Sequence, residues 1–390
     1  MTEIIIQTGE IGKQIALLEN GKIIEYYEEN DEYSRKEGDI YIGIVKDVIE
    51  GMQSAFVDIG TEKNSFIHVK DILPKIDETK EKQNVDISIK QIVKPNQKLL
   101  VQVKKDSNEK KGARVSTHIN LPSKYIALLP NTNIITVSQK IEDKNEQKRL
   151  LKLVREHLSE GNGAIIRTSA ENKEQEVIED IKKIEAKWNS IIETGVNPNL
   201  KRPKLLYRSE NIVEKMLVDL PADSIEKITV NNSKLKKELE EIKKRNKEYS
   251  SIQILVKEKE NLLEEKQIEK IKNRKIWLKC GGFITIDKTE ALTAIDVNTG
   301  KYTGKQDLEQ TVYKVNTEAT IEIAKQLRLR DIGGIIIIDY IDMKQKENKN
   351  KIENLLKEEL KKDRTKTQVE GFTKLDLMEL TRKHICSHKD

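Results

Sequence analysis

Two aspartates stand where apolar runs of the sequence stop. Asp296 follows residues 291–295, and Asp339 follows residues 335–338. Both runs predict buried β-strands, and a carboxylate at the end of a buried strand is costly unless it is solvated, paired or bound to a metal. A helical segment joins the two runs, so we expect the strands to lie side by side in one sheet. These aspartates are therefore the first candidates for chemistry.

Asn298 lies two residues after Asp296, so in an extended segment both side chains point to the same face. Two carboxylates and an amide are hard oxygen ligands, which suit Mg²⁺, whereas zinc prefers His and Cys. An ion held there could activate water for phosphodiester cleavage. The residues also have an ordinary alternative, because an aspartate at a strand end is often a turn former or a helix cap.

Aromatic and basic residues elsewhere could contact nucleic acid. Phe56 and Phe66 lie in predicted strands, and exposed aromatics on a small barrel stack unpaired bases at about 1–3 kcal/mol each. The alternative, favoured by strand position alone, is that both rings fill the barrel interior. Arg167 and Thr168 follow a predicted strand, and a guanidinium with a hydroxyl suits a phosphate. From its sequence position alone, Lys111 is predicted to be a solvated lysine in a loop.

Strand patterns dominate the first 120 residues, where Asn20-Gly21 predicts a hairpin turn. The N-terminal strands are predicted at residues 4–7, 14–19 and 22–27, followed by a charged linker at 28–37. Five short strands punctuated by glycine predict an OB-type barrel: residues 39–49, 54–59, 65–69, 97–104 and 113–117.

The middle of the chain mixes both periodicities. An α/β subdomain is predicted from strands at residues 125–129, 134–137 and 163–168 and helices at 144–158 and 174–192. Residues 211–270 are rich in Lys and Glu and are predicted to be mostly helical. A coiled coil is conceivable over residues 234–245, although the heptads do not persist.

The last third predicts strands at residues 276–278, 283–286 and 291–297, a helix at 307–330 and a strand at 335–338. Asp307 is the predicted N-cap of that helix. Its apolar stripe comprises Leu308, Val312, Val315, Ala319, Ile323 and Leu327. The continuous apolar run after the helix predicts a covered sheet.

The composition limits the classes of protein to which this chain can belong. The 390 residues suffice for several domains, and 71 basic against 66 acidic residues permit local basic patches without demonstrating nucleic-acid binding. Two cysteines exclude a disulfide framework and favour a reducing compartment. The sequence has no signal-peptide pattern and no apolar run of membrane-spanning length, so we expect a cytoplasmic protein without a membrane span.

Two long motifs resemble the catalytic signature of ribonucleases E and G. They are TEALTAIDVNTG, at residues 289–300, and EATIEIAKQLRLRDIGGIIIIDYIDM, at residues 318–343. The resemblance implies that Asp296 and Asp339 bind a catalytic magnesium ion and that Asn298 supports the same site.

Weaker resemblance extends over nearly the whole chain. SAFVDIG, at residues 54–60, and SFI, at residues 65–67, resemble the S1-type domain of this family, which implies that Phe56, Phe66 and Lys111 contact RNA. AIIRT, at residues 164–168, resembles the family's 5′-monophosphate sensor. That resemblance implies a phosphate-binding role for Arg167 and Thr168.

The resemblance also implies a multidomain α+β fold. Its parts would be a split ribonuclease-H-like (RNase H-like) scaffold at residues 1–35 and 208–270, an S1-type OB-fold barrel at 36–118, an α/β 5′-sensor subdomain at 119–207 and a deoxyribonuclease-I-like (DNase I-like) catalytic domain at 271–382. The implied function is Mg²⁺-dependent endonucleolytic cleavage of single-stranded RNA in mRNA decay and rRNA and tRNA processing. Cleavage would be stimulated by a 5′-monophosphate and leave 3′-hydroxyl and 5′-phosphate ends. The alternative is a non-catalytic RNA-binding scaffold with the same fold.

Residues 383–390 depart from the family's pattern, in which paired cysteines of two subunits share a zinc ion. Here Cys386 stands alone between His384 and His388. We therefore expect a frayed tail, doubtful zinc binding, and a homodimer or higher homo-oligomer assembled through the catalytic domains without zinc.

Basic residues near the second motif have two interpretations. Arg328 and Arg330 end the predicted helix, where cations offset its dipole, and contact with the RNA backbone is the alternative. Arg364 and Lys366 follow the predicted site and could approach the scissile phosphate.

Overall fold

The computed structural model describes residues 2–9, 12–29, 36–72, 88–107, 111–195, 201–220, 224–245, 249–259, 261–300 and 308–385. The chain divides into two compact units. Unit 1 comprises Met1–Ser34 and Ile212–Asp390, and unit 2 comprises Arg35–Asn211. The fold is mixed α+β, as predicted.

Strands supply most of the framework. In chain order they are β1 (Thr2–Gly9), β2 (Gly12–Glu19), β3 (Lys22–Glu29), β4 (Ile40–Ile49), β5 (Ser54–Asp58), β6 (Ser65–His68), β7 (Lys98–Lys105), β8 (Arg114–Ser116), β9 (Leu121–Pro122), β10 (Ile126–Pro130), β11 (Ile135–Val137), β12 (Asn162–Ile166), β13 (Lys204–Tyr207), β14 (Ile225–Val230), β15 (Gln253–Val256), β16 (Lys275–Trp277), β17 (Phe283–Lys288), β18 (Leu292–Asn298), β19 (Gly334–Asp339), β20 (Thr367–Phe372) and β21 (Leu377–Arg382).

Helices cover these strands. They are α1 (Ile89–Ile92), α2 (Lys144–His157), α3 (Glu174–Gly195), α4 (Ile212–Asp219), α5 (Ser233–Arg245), α6 (Glu265–Lys272), α7 (Leu308–Leu329) and α8 (Lys346–Lys361). Among the described residues, none of the helices combines the length and the apolar composition needed to cross a lipid bilayer.

A closed five-stranded barrel opens unit 2. Strand β4 pairs with both β5 and β7, and the remaining pairs β5–β6, β6–β8 and β8–β7 complete the ring. Its core consists of inward-facing residues such as Val45, Val57, Ile67 and Val101. The predicted OB-type barrel is therefore confirmed. Strand β13, which the sequence did not predict, extends the sheet at the edge of β4.

A four-stranded sheet in the order β11-β12-β10-β9 follows in unit 2. Helices α2 and α3 bury their apolar stripes against it, including Leu150, Val154, Ile181 and Trp188. The predicted alternation of strands and helices is confirmed here. Both helices could be predicted because their apolar residues recur with a 3.6-residue period.

A five-stranded sheet in unit 1 joins the two separate stretches of its sequence. Its order is β15-β14-β1-β2-β3, and β1 pairs in parallel with β14. The Asn20-Gly21 hairpin is as predicted, with both residues at positive φ. The prediction of a mostly helical 211–270 is wrong for β14 and β15, whose short apolar runs are flanked by charged helices. Helix α5 packs on this sheet through Leu235 and Leu239.

A six-stranded sheet in the order β16-β17-β18-β19-β21-β20 completes unit 1. Helices α7 and α8 cover one face, and α7 buries most of its predicted stripe. Leu308 is the exception at 70 % exposure. Asp307, the predicted N-cap, lies outside the described residues. Helix α8 and strands β20 and β21 were not predicted from the sequence.

The covered-sheet prediction is correct for one face only. Along β19, Ile336 and Ile338 are fully buried under the helices, whereas Ile335 is 51 % exposed. Asp296, Asp339 and Ala294 are also exposed on the face of Ile335. We call this surface the open face, since no described core cluster covers it.

Candidate active site

The two aspartates meet on the open face. Strands β18 and β19 are parallel neighbours, and their register sets Asp296 directly opposite Asp339. Adjacent strands are about 4.8 Å apart, so the two carboxylates crowd one another. The predicted side-by-side arrangement is therefore confirmed, and both residues lie within strands rather than in a turn or a helix cap.

Asn298 belongs to the same constellation. Its Nδ2 donates a hydrogen bond of 2.6 Å to Oδ2 of Asp296. The turn after Asn298 is constrained, because Gly300 has φ +60° and a Cβ there would lie 2.5 Å from the Gly281 carbonyl. The backbone after β18 therefore approaches the β16–β17 turn closely at this glycine.

The surroundings of Asp339 change the pKa of its carboxyl group. Burial, followed by the neighbouring carboxylates of Asp296 and Asp342, raises the pKa of Asp339. Like charges held this close disfavour double ionisation, and a bound cation would relieve that repulsion. Asp342 was not among the predicted site residues. Its position three residues after Asp339 was the signal that could have identified it.

Two polar residues of α7 position the segment after β19. Asn316 is fully buried; its Nδ2 donates to the Ile341 carbonyl at 2.8 Å, and its Oδ1 accepts from the Ile341 amide at 3.2 Å. Thr320 Oγ1 lies 2.9 Å from the buried Tyr340 hydroxyl. These bonds anchor residues 340 and 341, which lie between Asp339 and Asp342. Sequence reasoning missed them; polar residues within an apolar helix stripe were the signal.

The donor chemistry fits a hard divalent cation. Two carboxylates and an adjacent amide provide oxygen ligands on a solvent-accessible surface, where Mg²⁺ can retain several waters. Among the described residues, no three His, Cys, Asp or Glu side chains form a metal-binding group. The pair is therefore a two-carboxylate site that an amide and water would complete.

The interpretation of Arg364 as a phosphate contact is wrong. Its side chain is buried and pairs with Glu25 at 3.0 Å and with Asp219 at 2.7 Å. Arg328 pairs with the same Glu25 at 2.9 Å, which gives it an ion-pair role in the scaffold. Both arginines neutralise a buried carboxylate of the five-stranded sheet and are not available to a substrate.

The barrel carries its two phenylalanines on the outside. Phe56 and Phe66 are opposite one another in the β5–β6 register, with ring centroids 6.3 Å apart in an edge-to-face arrangement. Both rings are half-buried, while their neighbours Ala55, Val57 and Ile67 fill the core. The alternative that both phenylalanines fill the barrel interior is therefore wrong.

Lys111 is exposed at the start of the segment leading into β8. The next residue, Gly112, packs so tightly that a Cβ would lie 1.9 Å from the Asn64 carbonyl. One residue further, the Ala113 carbonyl accepts a hydrogen bond of 2.7 Å from the Phe66 amide. These contacts hold the backbone beside Lys111 against the strand that carries Phe66.

Arg167 and Thr168 lie immediately after β12, which ends two residues before the predicted strand end at residue 168. Arg167 is half-buried, and its Nη1 donates to the Ser123 carbonyl at 2.7 Å, which fixes the guanidinium. Thr168 is exposed at the start of a short 3₁₀ turn, Thr168–Ala170. The two residues are thus adjacent at the end of β12, and the Thr168 side chain is exposed.

Part of the predicted frayed tail is ordered. The Ile385 amide donates to the Asp331 carboxylate at 2.9 Å, and His384 Nδ1 lies 3.2 Å from the Asp331 carbonyl. Asp331 is itself paired with the buried Arg382. This network extends the packed structure to residue 385. Cys386 and His388 lie outside the described residues.

Together these features define a multidomain α+β protein with a two-carboxylate centre in one unit and an aromatic-bearing barrel in the other. Comparison with known proteins identifies a family within that class. The family model described as Ribonuclease E/G family matches residues 120–385. The chain belongs to this family.

Named relatives agree with that assignment. Ribonuclease G of Escherichia coli strain K12 is 36 % identical over 395 residues, covering 98 % of this chain and 79 % of the relative. Ribonuclease G of Haemophilus influenzae is 38 % identical, covering 95 % and 77 %. A Nostoc ribonuclease E is 35 % identical over 89 % of this chain, which spans 51 % of that longer relative.

Proposed function

We propose that this chain is a Mg²⁺-dependent endoribonuclease that cleaves single-stranded RNA at the open face of the six-stranded sheet. The observation that carries the proposal is the in-register pairing of Asp296 with Asp339 on an exposed surface. Membership of a family whose curated relatives are named ribonucleases supports the endoribonuclease activity.

Each residue of the centre has a distinct task. Asp296 and Asp339 hold the ion, and Asn298 orients Asp296 through the hydrogen bond between their side chains. Burial, followed by the neighbouring carboxylates of Asp296 and Asp342, raises the pKa of Asp339, and a bound cation would relieve the repulsion between these carboxylates. When bound, Mg²⁺ supplies an activated water and neutralises charge that develops on the phosphate. Cleavage with these products would form a bond from a water oxygen to phosphorus and break the bond from phosphorus to the 3′ oxygen, which leaves 3′-hydroxyl and 5′-phosphate ends.

Unit 2 contributes RNA binding in this proposal. Phe56 and Phe66 present paired rings outside the barrel, suited to stacking unpaired bases. Lys111 adds a positive charge for the backbone. Arg167 and Thr168 bind a 5′-monophosphate, because the guanidinium is fixed by Ser123 beside an exposed hydroxyl.

The proposal also covers the subdomains, the substrates and the cellular compartment. Unit 1 combines an RNase H-like scaffold with a DNase I-like catalytic domain, and unit 2 combines an S1-type OB-fold with a 5′ sensor. The substrates are mRNA and precursors of rRNA and tRNA. Two cysteines in 390 residues suit the reducing cytoplasm.

The central experiment measures cleavage of a 5′-monophosphorylated single-stranded oligonucleotide with Mg²⁺ and with EDTA. Asp296→Asn and Asp339→Asn should each slow cleavage by about a thousandfold or more, since a metal site contributes several kcal/mol to the transition state. RNA affinity should persist. Asp376→Asn is the matched control, because it removes an exposed carboxylate of the neighbouring β20–β21 turn that pairs with Lys349 of α8. Near-normal rates in either site variant would contradict the metal-site assignment, and absence of cleavage by wild-type protein with Mg²⁺ would support the non-catalytic scaffold instead.

The sensor assignment has its own test. Arg167→Ala should lower the rate on 5′-monophosphorylated RNA much more than on 5′-hydroxyl RNA, because the phosphate contact exists only in the first substrate. Lys152→Ala, which removes an exposed cation of α2 in the same unit, is the control. Equal losses on both substrates would assign Arg167 to folding alone.

Assembly is proposed to occur through the catalytic domains without zinc. Residues 383–390 contain one cysteine, Cys386, so this segment offers at most two thiolates across a dimer, fewer than a four-sulfur site requires. Sedimentation should therefore be unchanged by a zinc chelator and by Cys386→Ser. Conversion of a stable dimer to monomers by either treatment would refute this proposal.

A further inference from the structure

An exposed aromatic pair lies on the open face at the opposite edge from β20. Trp277 of β16 is 57 % exposed, whereas Trp188, the other tryptophan of the chain, is buried in the core of unit 2. Phe283 of β17 is its direct cross-strand partner, and the ring centroids are 5.3 Å apart in an edge-to-face arrangement. A tryptophan this exposed contributes little to the core and is available to a ligand.

A cation accompanies the two rings. Lys275 Nζ lies 4.3 Å from the Trp277 ring centroid and 3.6 Å from that of Phe283. The rings hold the ammonium at the surface by cation–π attraction. A flat apolar surface next to a fixed positive charge matches a nucleobase and its phosphate, whereas it suits an uncharged apolar partner poorly.

The strand register connects this group to the carboxylates. Trp277, Phe283 and Asn298 are successive partners across β16, β17 and β18. Alternation along each strand gives all three the same face. Two strand spacings separate Trp277 from Asn298, a distance of about 10 Å.

The adjacent row of partners runs from Lys275 through Thr285 to Asp296 and then Asp339. The aromatic pair and the carboxylate pair therefore occupy neighbouring rows of one continuous surface. A single RNA strand lying on that surface can reach both.

We propose that Trp277 and Phe283 form a stacking site for one unpaired base of the RNA strand that is cut at Asp296 and Asp339, with Lys275 contacting its phosphate. This inference rests on the proposed function, because the stacking site lies on the surface where the RNA would be cut. Base stacking on aromatic side chains tolerates any sequence, so the site would favour unpaired RNA over duplex without selecting a particular base.

Binding can be tested without cleavage. In EDTA, a single-stranded oligonucleotide should quench the fluorescence of exposed Trp277, and Trp277→Phe should remove that quenching while Trp188 still reports the fold. Duplex RNA of the same sequence should quench far less. Absence of quenching by single-stranded RNA, or quenching unchanged by Trp277→Phe, would overturn the proposal even if the protein is an active ribonuclease.

Cleavage kinetics give the second arm. Trp277→Ala should lower kcat/KM on single-stranded RNA by about tenfold to a hundredfold, and Trp277→Phe should restore much of the loss. Substrates carrying one abasic nucleotide at successive positions should identify a position where wild-type protein loses activity and Trp277→Ala loses none further. Leu375→Ala, which removes another exposed apolar side chain of unit 1, should leave kcat/KM unchanged.

Two results would contradict the stacking site. One is additive losses from Trp277→Ala and every abasic substitution. The other is a change in sedimentation by Trp277→Ala with unchanged RNA binding, which would assign the surface to a second copy of the chain. Quenching without any cleavage by wild-type protein would retain the stacking site and reject the proposed function.

Discussion

The two sheets of unit 1 differ in what covers them. In the five-stranded sheet, neighbouring residues of β1 face two different cores: Ile4 packs with α4 and α5, and Ile5 packs with α6 and the end of α7. In the six-stranded sheet, Ile338 packs under α7 and α8 while Ile335 is exposed. Among the described residues, core clusters therefore lie on both faces of the first sheet. The second concentrates its carboxylates and exposed aromatics on the open face.

Helix α7 serves both sheets. Its middle, with Val315 and Ala319, fills the core of the six-stranded sheet, and its last residue, Leu329, joins a core of the five-stranded sheet. Near the same end, Arg328 pairs with buried Glu25. One helix therefore fixes the open face to a scaffold that is packed on both sides.

The largest expected effect comes from breaking the charge cluster of the scaffold. Arg364→Ala leaves Glu25 buried with a reduced set of partners, and breaking a buried pair costs about 3–5 kcal/mol of unfolding free energy. Denaturant titration measures this loss. Lys362→Ala, which removes the exposed partner of Glu359, should change the free energy little. Equal effects would mean that the buried cluster does not stabilise the scaffold.

The pH dependence of that loss has a definite sign. Burial raises the pKa of Glu25, but Arg364 and Arg328 outweigh it and hold the pKa below its usual value. The stabilisation from this group is therefore complete above the unfolded pKa of about 4.3 and is lost as the pH falls through the folded value. The stability difference between wild-type protein and Arg364→Ala should be largest near pH 7 and shrink below pH of about 4. A difference that grows on acidification would contradict this cause.

The comparison of the two sheets predicts a pattern in single core substitutions. Ile4→Ala, Ile5→Ala and Ile338→Ala should each cost about 2–5 kcal/mol, because each removes buried methyl groups. Ile335→Ala should cost less than about 1 kcal/mol, since an exposed side chain loses little on truncation. Denaturant titration of the four variants checks the pattern. A large loss from Ile335→Ala would show that the open face is covered in solution.

A smaller effect is expected for the barrel. Phe56→Ala and Phe66→Ala should each weaken single-stranded RNA binding by about 1–3 kcal/mol without lowering the stability of the barrel core. Fluorescence anisotropy in EDTA measures the affinity. Leu205→Ala removes an exposed apolar residue of the same unit and is the control. Unchanged affinity in both phenylalanine variants would leave the barrel without a role in RNA binding.

Much of the site could be predicted from sequence because its signals are local. An apolar run, an aspartate and a joining helix place Asp296 beside Asp339, and a two-residue spacing places Asn298 with them. The open face could not be predicted, since four consecutive isoleucines do not reveal which alternate pair is buried. Strands β14 and β15 were missed because charged helices surround runs of only a few apolar residues. Arg364 was misassigned because its partner Glu25 is distant in sequence.

The claim that a metal ion is held on the open face can be tested most directly by changing the softness of one ligand. Asp339→Cys places a thiolate where the proposed Mg²⁺ ligand stands, and thiolates prefer softer ions. We predict that this variant is inactive with Mg²⁺ and regains cleavage with Mn²⁺ or Cd²⁺, relative to wild-type protein in the same metals. Asp376→Cys should show no such change. Equal activity of Asp339→Cys with Mg²⁺ and with the softer ions, whether high or absent, would contradict metal ligation by Asp339.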